Sequence, residues 1–211
     1  MNSVVEYLDF LFPNPRCELN YEKDYELLIS VMLSAQTTDK MVNRVTRILF
    51  DKYDTLEKIA DADIEEVKAI IKPLGNYNKK ANNIIEIANR LLIDTNGIVI
   101  NDREYLESLP GVGRKTTNVV IANLFNENVI AVDTHVARVS ARLGIAKDND
   151  DVLTIEKKLN RKFKKYELGR IHHQLVLFGR YYCKAKNPIC SNCKICNLCK
   201  YYKRNNKILT K

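Results

Sequence analysis

Apolar residues recur along this chain at helical spacing, and the strict alternation of half-buried strands is almost absent. Thr38 is suited to cap the N-terminus of one predicted helix. The predicted apolar face of that helix comprises Met41, Val42, Val45, Ile48 and Leu49. Asn101 and Glu104 have the spacing of a capping box, which predicts the start of a short helix reaching Leu109.

Helical spacing continues into the last third of the chain. The apolar face of a further predicted helix, opposite a lysine-rich face, comprises Val152, Ile155, Leu159 and Phe163. Connections such as residues 73–76 are short, and no repeat, low-complexity segment or long linker is present. With about 11–12 residues per helix plus short connections, the pattern predicts an all-α protein of roughly eight to ten helices.

Composition is that of a soluble globular protein. The chain has 211 residues, 45% of them hydrophobic and 28% charged, which is enough for one or two domains with a sizeable core. The richest apolar stretches, residues 27–33 and 119–125, are far shorter than the ~20 residues of a membrane-spanning helix. The N-terminus lacks the basic and then apolar run of a signal peptide. We therefore expect a cytoplasmic protein.

Charge is distributed unevenly along the chain. The formal net charge is +8, and residues 157–211 hold 16 of the 34 basic residues but only one of the 26 acidic residues. This asymmetry favours nucleic acid or an anionic surface as the partner. A solvated basic tail is the alternative.

Residues 109–116 read Leu-Pro-Gly-Val-Gly-Arg-Lys-Thr and join two predicted helices. Gly111 and Gly113 permit a tight turn with positive φ and a close approach by another backbone. Val112 is expected to plug between the helices. Because free N–H groups at the start of the second helix favour a phosphate, the turn is a candidate phosphate site. A helix–helix turn without a ligand is the alternative.

Lys115 lies in the first turn of that second helix beside Arg114, where the helix dipole disfavours a cation. Positive surroundings favour the neutral amine, so the position suits a nucleophile better than it suits stability. Eighteen residues later, an apolar run ends at Asp133, which opens the next predicted helix. Capping that helix is the commonest use of an aspartate there.

Five of the six cysteines crowd into 17 residues, while Cys17 stands alone. In a cytosolic protein such a cluster is better suited to bind metal than to form disulfides. One possible four-ligand set steps by three residues and comprises Cys190, Cys193, Cys196 and Cys199. The other has the spacing C-x6-C-x2-C-x5-C, starts at Cys183 and leaves Cys196 spare. A thiolate zinc site fits the same residues.

Taken together, the hairpin, Lys115, Asp133 and the cysteines closely resemble the signature of helix-hairpin-helix DNA glycosylases of the endonuclease III family. Residues 33–39, 77–81 and 172–173 extend the resemblance over essentially the whole chain. The resemblance implies a six-helix barrel domain over residues 19–128. It also implies a helical iron–sulfur domain over residues 1–18 and 129–211, with DNA in a central cleft.

The same resemblance implies base-excision repair of double-stranded DNA. The enzyme would remove oxidised pyrimidines through a lysine Schiff base and cut apurinic or apyrimidinic sites by β-elimination. Lys115 would attack the sugar, and Asp133 would stabilise positive charge at the sugar ring and help to activate Lys115. The implied ligands of a [4Fe–4S] cluster are Cys183, Cys190, Cys193 and Cys199.

Expected DNA contacts also follow from the resemblance. The hairpin would contribute Leu109, Gly111, Val112 and Gly113, and the loop before the later cysteines would contribute Lys184 and Lys186. Gln36 and Asn76 occupy the positions that fill the duplex after a base leaves the stack. The family often has leucine at the second of these positions, so we expect polar filling, or a hydrogen bond to the orphan base, from Asn76. We interpret His135, His172 and His173 as structural or phosphate-contacting residues.

Two alternative functions remain open from the sequence. One is an adenine-mismatch glycosylase, a class that usually has a further C-terminal recognition domain, whereas this chain ends soon after its cysteines. The other is a non-catalytic iron–sulfur protein that binds DNA or acts in redox chemistry, against which Lys115 and Asp133 both argue. We expect a monomer associated with the nucleoid.

Overall fold

The computed structural model describes residues 3–209, with side chains described as far as Asn205, and every regular element in this range is helical. The α-helices are α1 (Val4–Leu11), α2 (Asp24–Leu33), α3 (Asp39–Lys52), α4 (Leu56–Ala60), α5 (Ile64–Ile71), α6 (Tyr77–Thr95), α7 (Arg103–Ser108), α8 (Arg114–Leu124), α9 (Thr134–Leu143), α10 (Val152–Lys162), α11 (Leu168–Leu177) and α12 (Lys200–Leu209). Two 3₁₀ helices span Lys72–Leu74 and Cys196–Leu198, and a π-helix spans Phe178–Tyr182.

The all-α prediction is confirmed, but the predicted number of helices was too low. The described residues form twelve α-helices rather than eight to ten. The excess arises because α4 and α7 contain only five and six residues, well below the average helix length. Within the described range, none of the helices combines the length and the apolar character needed to cross a membrane.

The chain divides into two compact units. The central unit comprises Cys17–Phe125 and therefore contains α2 to α8. The terminal unit comprises the residues up to Arg16 together with those from Asn126 onwards. These divisions lie a few residues before the sequence-based boundaries at 18/19 and 128/129.

The core of the central unit is built around α2. Residues 27–33 are all buried, and α2 packs against α3, α6 and α8. A helix that is apolar on every side is stable only when neighbouring elements cover every side, so α2 is the core helix of its unit.

Helix α3 follows the predicted pattern except at its margin. The hydroxyl of Thr38 accepts a hydrogen bond from the N–H of Met41, which confirms the predicted cap. Val42, Val45 and Leu49 are buried, but Ile48 is 52% exposed, contrary to the prediction. Ile48 lies at the edge of the stripe that the three buried residues define, because successive helical residues are rotated by about 100°.

The predicted capping box at Asn101 is wrong by one residue. The cap of α7 is Asp102, whose Oδ1 accepts from the N–H of Tyr105 at 3.0 Å. Glu104 consequently occupies the second helical position rather than the third, where a capping box needs it. The helix ends at Ser108 with Leu109 as its C-cap, one residue before the predicted end.

In the terminal unit, α1 is fixed to α11 although the two lie far apart in sequence. Asp9 Oδ1 accepts from Arg170 Nη2 at 2.7 Å and from Gln174 Nε2 at 2.8 Å. Tyr7 and Leu8 contribute to the hydrophobic core that the later helices form. These contacts explain why the N-terminal helix belongs to the same unit as the C-terminal residues.

Helix α10 shows a second error at the edge of a predicted apolar face. Ile155, Leu159 and Phe163 are buried in the core of the terminal unit, but Val152 is 49% exposed. Val152 is the first residue of α10, directly after the capping aspartate, Asp151. The apolar face is therefore one turn shorter than predicted.

Candidate active site and cysteine centre

The two hairpin glycines between α7 and α8 differ in backbone and surroundings. Gly111 has φ +76°, and a Cβ there would collide with Nδ2 of Asn83 and lie 3.2 Å from Cγ of Met32. Gly113 has φ −119° and ψ −179°, an extended conformation open to any residue, and nothing lies within 4 Å of a Cβ built there. Gly111 is thus required by the turn itself, whereas Gly113 leaves open space beside its own backbone.

The apolar hairpin residues serve packing. Leu109 is 2% exposed and Val112 is 5% exposed, as expected for a plug between two helices. The N–H of Val112 donates to the carbonyl oxygen of Leu109 at 3.1 Å, which closes the turn. Gly111 and Gly113 are exposed, so the accessible surface of the turn is glycine backbone.

Lys115 is the second residue of α8 and is partly exposed. The N-cap residue before this helix, Gly113, provides no side-chain cap, and the first turn contains no acidic residue. A lysine at this end opposes the helix dipole instead of complementing it. Helix stability therefore gives no reason for a lysine here, which supports a chemical role.

Asp133 caps α9, as predicted. Its Oδ1 accepts from the N–H of Val136 at 2.7 Å, and residues 130–132 before it are buried. The buried segment and the cap together hold the carboxylate at the N-terminus of α9. Asp133 belongs to the terminal unit and Lys115 to the central unit.

Gln36 and Asn76 are both exposed, and both have left-handed backbone. Gln36 follows α2 with φ 59°, and Asn76 precedes α6 with φ 46° and ψ 28°. Asparagine visits this region readily, but glutamine rarely does. Unusual backbone of this kind is concentrated at functional sites, where the surrounding structure holds it in place.

Lys80 is a residue that sequence reasoning missed. It is 6% exposed, and its Nζ donates to the carbonyl oxygens of Leu33 at 3.0 Å, Ala35 at 3.0 Å and Leu74 at 3.1 Å. Burial lowers the pKa of the Lys80 ammonium below its ordinary value. Two adjacent lysines, Lys79 and Lys80, give no local sign that one of them is buried, and the resemblance over residues 77–81 was the signal that could have drawn attention to Lys80.

The five clustered cysteines line one cavity in the terminal unit. Its lining includes Cys183, Cys190, Cys193, Cys196 and Cys199. Hydrogen bonds of 3.1–3.2 Å link the N–H of each of the last three to the carbonyl oxygen three residues earlier. Ile195 within this segment is fully buried in the core and anchors it.

The surroundings of two thiols in this cavity favour their neutral form. Burial raises the pKa of Cys193, and burial together with the neighbouring Cys183 and Cys199 raises the pKa of Cys190. A metal centre that bound Cys190 and Cys193 as thiolates would supply the positive charge that offsets this preference.

The donor set of this cavity, several cysteine sulfurs without a carboxylate or an imidazole among the described residues, fits an iron–sulfur cluster. In the described part of the chain, no three His, Cys, Asp or Glu side chains converge on one metal ion. A zinc site would place four sulfurs about 2.3 Å from one point. A cluster spreads its ligands more widely, which agrees with cysteines distributed around a shared cavity.

Comparison with known proteins decides the family. Residues 29–165 match the family model described as HhH-GPD superfamily base excision DNA repair protein. The chain belongs to this superfamily. It is 47% identical to endonuclease III of Bacillus subtilis strain 168 over 202 residues, covering 95% of this chain and 92% of that protein. It is 44% identical to endonuclease III of Rickettsia felis over 211 residues, covering 100% of this chain and 98% of that protein.

The fold of the chain is also similar to that of a solved structure of an endonuclease III. The chain superposes with a TM-score of 0.91 on a trapped endonuclease III–DNA covalent intermediate in an estranged-adenine complex. The sequence identity is 44%, and the match covers 96% of this chain and 95% of the other. The resemblance to the endonuclease III family seen in the sequence is thereby confirmed.

The sequence analysis also missed two arginines of α9 that contact the chain leading into the cysteine segment. Arg142 Nη1 donates to Sγ of Cys183 at 3.3 Å and to the carbonyl oxygen of Lys184 at 2.6 Å. Arg138 Nη2 donates to the carbonyl oxygen of Gly179 at 2.8 Å, and its Nε donates to that of Cys183 at 3.2 Å. The arginines of α9 thus hold the chain that leads into the cysteine segment. Their spacing of four residues on a helix was the only sequence signal.

The predicted basic loop, with Lys184 and Lys186, directly follows Cys183 in the chain. Lys184 and Lys186 are exposed, while the backbone of the loop is held at Lys184 and at Ala185, whose carbonyl oxygen accepts from Arg142 Nη2 at 3.0 Å. Their contact with DNA stays a prediction.

The histidines have structural surroundings. His172 is buried, with Nδ1 2.9 Å from the carbonyl oxygen of Ala131, and Nδ1 of His135 lies 3.2 Å from Nη2 of Arg138. Burial, aided by His172, lowers the pKa of His173 to about 4. None of the three lines the cysteine cavity.

Proposed function

We propose that this chain is a DNA glycosylase of base-excision repair with apurinic/apyrimidinic lyase activity, acting on oxidised pyrimidines in double-stranded DNA. The observation that carries the proposal is Lys115 in the first turn of α8, directly after the hairpin of an HhH-GPD protein. Members of this superfamily that only remove the base typically lack this lysine. The lysine therefore favours combined glycosylase and lyase chemistry.

The reaction begins when the damaged nucleotide leaves the stack, which costs a few kcal/mol. The exposed N–H groups of the hairpin, at Gly111 and Gly113, hold a phosphate near it. The neutral amine of Lys115 attacks C1′ of the sugar, the bond to the base breaks, and the base leaves with a proton. The C1′–O4′ bond then breaks, O4′ takes up a proton, and the opened sugar is held to Lys115 as a Schiff base. Loss of a proton from C2′ expels the 3′ phosphate by β-elimination, which breaks the strand on the 3′ side.

Asp133 and the two exposed loops complete the proposal. The Asp133 carboxylate stabilises the positive charge that develops on the sugar ring and assists the activation of Lys115. Gln36 and Asn76 fill the space that the extruded nucleotide leaves. The amide of Asn76 offers both donors and an acceptor to the orphan base, which a leucine would not.

The proposed cofactor is a [4Fe–4S] cluster with the ligands Cys183, Cys190, Cys193 and Cys199. When bound, it supplies structure to the loop over residues 184–188. Lys184 and Lys186 of that loop then reach DNA phosphates. In this proposal the central unit is the barrel domain and the terminal unit is the cluster domain of a nucleoid-associated monomer in the cytoplasm.

Iron analysis tests the cofactor. Protein purified anaerobically is expected to be yellow-brown with about four irons per chain. Cys196→Ser is expected to retain the iron and the colour, whereas Cys183→Ser is expected to lose both. Stoichiometric zinc without iron would overturn the proposal, and the opposite behaviour of the two variants would select the ligand set that contains Cys196.

A panel of duplexes tests the function. The panel has five duplexes. Four carry a single lesion each, which is an oxidised pyrimidine, an oxidised purine, an abasic site or an adenine mismatch, and the fifth carries none. We expect strand cleavage at the oxidised pyrimidine and at the abasic site. Release of adenine from the mismatch alone would identify an adenine-mismatch glycosylase. Binding to the duplexes without base release or cleavage would identify a non-catalytic DNA-binding protein.

A further inference from the structure

One buried ammonium group connects the two exposed loops that contain Gln36 and Asn76. Lys80 Nζ donates to the carbonyl oxygen of Leu33, the last residue of α2, and to that of Ala35, directly before Gln36. Its third hydrogen bond reaches the carbonyl oxygen of Leu74, two residues before Asn76.

Each of these carbonyl groups needs a partner. The last carbonyl groups of a helix have no N–H partner within the helix, and they lie at the negative end of its dipole. Leu33 ends α2, and Leu74 ends the 3₁₀ helix Lys72–Leu74. A lysine ammonium supplies three donors and positive charge from a single atom, so it can serve two helix ends and a turn together.

The two loops therefore share one support. Lys80 leaves from the first turn of α6, and its backbone N–H donates to the carbonyl oxygen of Asn76 at 3.1 Å. The residue thus contacts the Asn76 loop through its backbone and both loops through its side chain. Without the ammonium, three carbonyl groups lose their donor, and the left-handed backbone at Gln36 and Asn76 loses its common anchor.

We propose that Lys80 is a positioning residue that locks the Gln36 and Asn76 loops into one unit, which enters the duplex when the damaged nucleotide is extruded. The inference rests on the proposed glycosylase function and deepens it. Lys80 acts only through the two loops and does not contact the reacting atoms.

Loss of the Lys80 ammonium should affect the extrusion of the damaged nucleotide selectively. Removal of an intact damaged base requires unstacking and filling of the gap, whereas a preformed abasic site has no base to extrude. Loss of the anchor should therefore impair base excision much more than cleavage of an abasic site. General destabilisation of the fold would lower both activities alike.

The test compares wild type, Lys80→Met and Lys79→Met on two duplexes, one with an oxidised pyrimidine and one with an abasic site. Methionine keeps the aliphatic part of the side chain and removes the donors. We expect kcat/KM of Lys80→Met for the oxidised pyrimidine to fall at least about tenfold, and that for the abasic site by less than about threefold. Lys79 is exposed and loses the same charge, so Lys79→Met should resemble wild type on both duplexes.

The outcomes are separable. Equal losses on both duplexes, or no loss on either, would overturn the role of Lys80 while leaving the glycosylase proposal intact. Absence of wild-type activity on both duplexes would instead overturn the proposed function. A 2-aminopurine placed beside the lesion reports unstacking directly, and its fluorescence increase on binding should be reduced in Lys80→Met and kept in Lys79→Met.

A second measurement does not depend on the folding of a Lys80 variant. Gln36 and Asn76 are exposed and have a left-handed backbone that glycine adopts without strain, so Gln36→Gly and Asn76→Gly, singly and together, should remove the side chains and keep the fold. If the loops act as one unit, the losses in base excision are non-additive, and the double variant is little worse than the more impaired single variant. Additive losses would contradict the proposal.

Discussion

Lys115→Gln is expected to abolish both covalent trapping and strand cleavage while duplex binding is largely kept. Glutamine removes the nucleophilic amine, but the hairpin backbone that holds the phosphate stays in place. Borohydride added during reaction with DNA that contains an oxidised pyrimidine traps the Schiff base of wild type. Peptide mapping of the trapped complex should place the link on Lys115, and the loss of cleavage should exceed about a thousandfold.

Arg114→Gln is the matched control for this experiment. It neutralises the neighbouring charge in the same helical turn, on an exposed side chain. We expect Arg114→Gln still to be trapped, with the link on Lys115, but more slowly than wild type because the neighbouring positive charge is lost. Its binding to all sequences should be somewhat weaker because one phosphate-attracting charge is lost. Undiminished trapping of Lys115→Gln would move the nucleophile to another residue and overturn the mechanism.

Asp133→Asn is expected to slow base excision by about a hundredfold or more, with a change in duplex affinity below about threefold. The asparagine oxygen can still accept from the N–H of Val136, so α9 keeps its cap. Only the negative charge beside the developing cation is lost. Single-turnover rates of base release, compared with binding measured by fluorescence anisotropy, separate the two effects.

Another capping aspartate of the same unit provides the control. Asp151 caps α10 by accepting from the N–H of Thr154 at 2.7 Å, the same distance as at Asp133. Asp151→Asn therefore makes the same chemical change at an equivalent cap. It should leave single-turnover excision unchanged, and equal slowing in both variants would show that the effect is structural.

Local features of the fold were predicted well. The caps at Thr38 and Asp133 and the burial of Val112 depend on residues within a few positions of one another. Errors occurred where two neighbouring residues competed for one position, as at Asn101 and Asp102, or at the margin of an apolar stripe, as at Ile48 and Val152. A helix pattern specifies the centre of a buried face more firmly than its edges.

The candidate site was only partly accessible to sequence reasoning. The types of residue that chemistry needs, an amine after a glycine turn and a carboxylate at a helix start, could be recognised because they lie within short motifs. The long-range contacts that hold the cysteine segment and the terminal unit could not. Arg142 contacts Cys183 over 41 positions, and Asp9 contacts Gln174 over 165 positions.

The sequence by itself determined the all-α class, the hairpin with Lys115, the cap at Asp133 and the grouping of the cysteines, because each depends on spacing within a few turns of chain. Only the tertiary structure decided that Lys80 is buried, since its three acceptors lie 47, 45 and 6 residues away. It likewise decided that Gly111, and not Gly113, is crowded by Asn83 and Met32. Burial depends on which distant segments pack together, and no local pattern encodes that for a lysine beside another lysine.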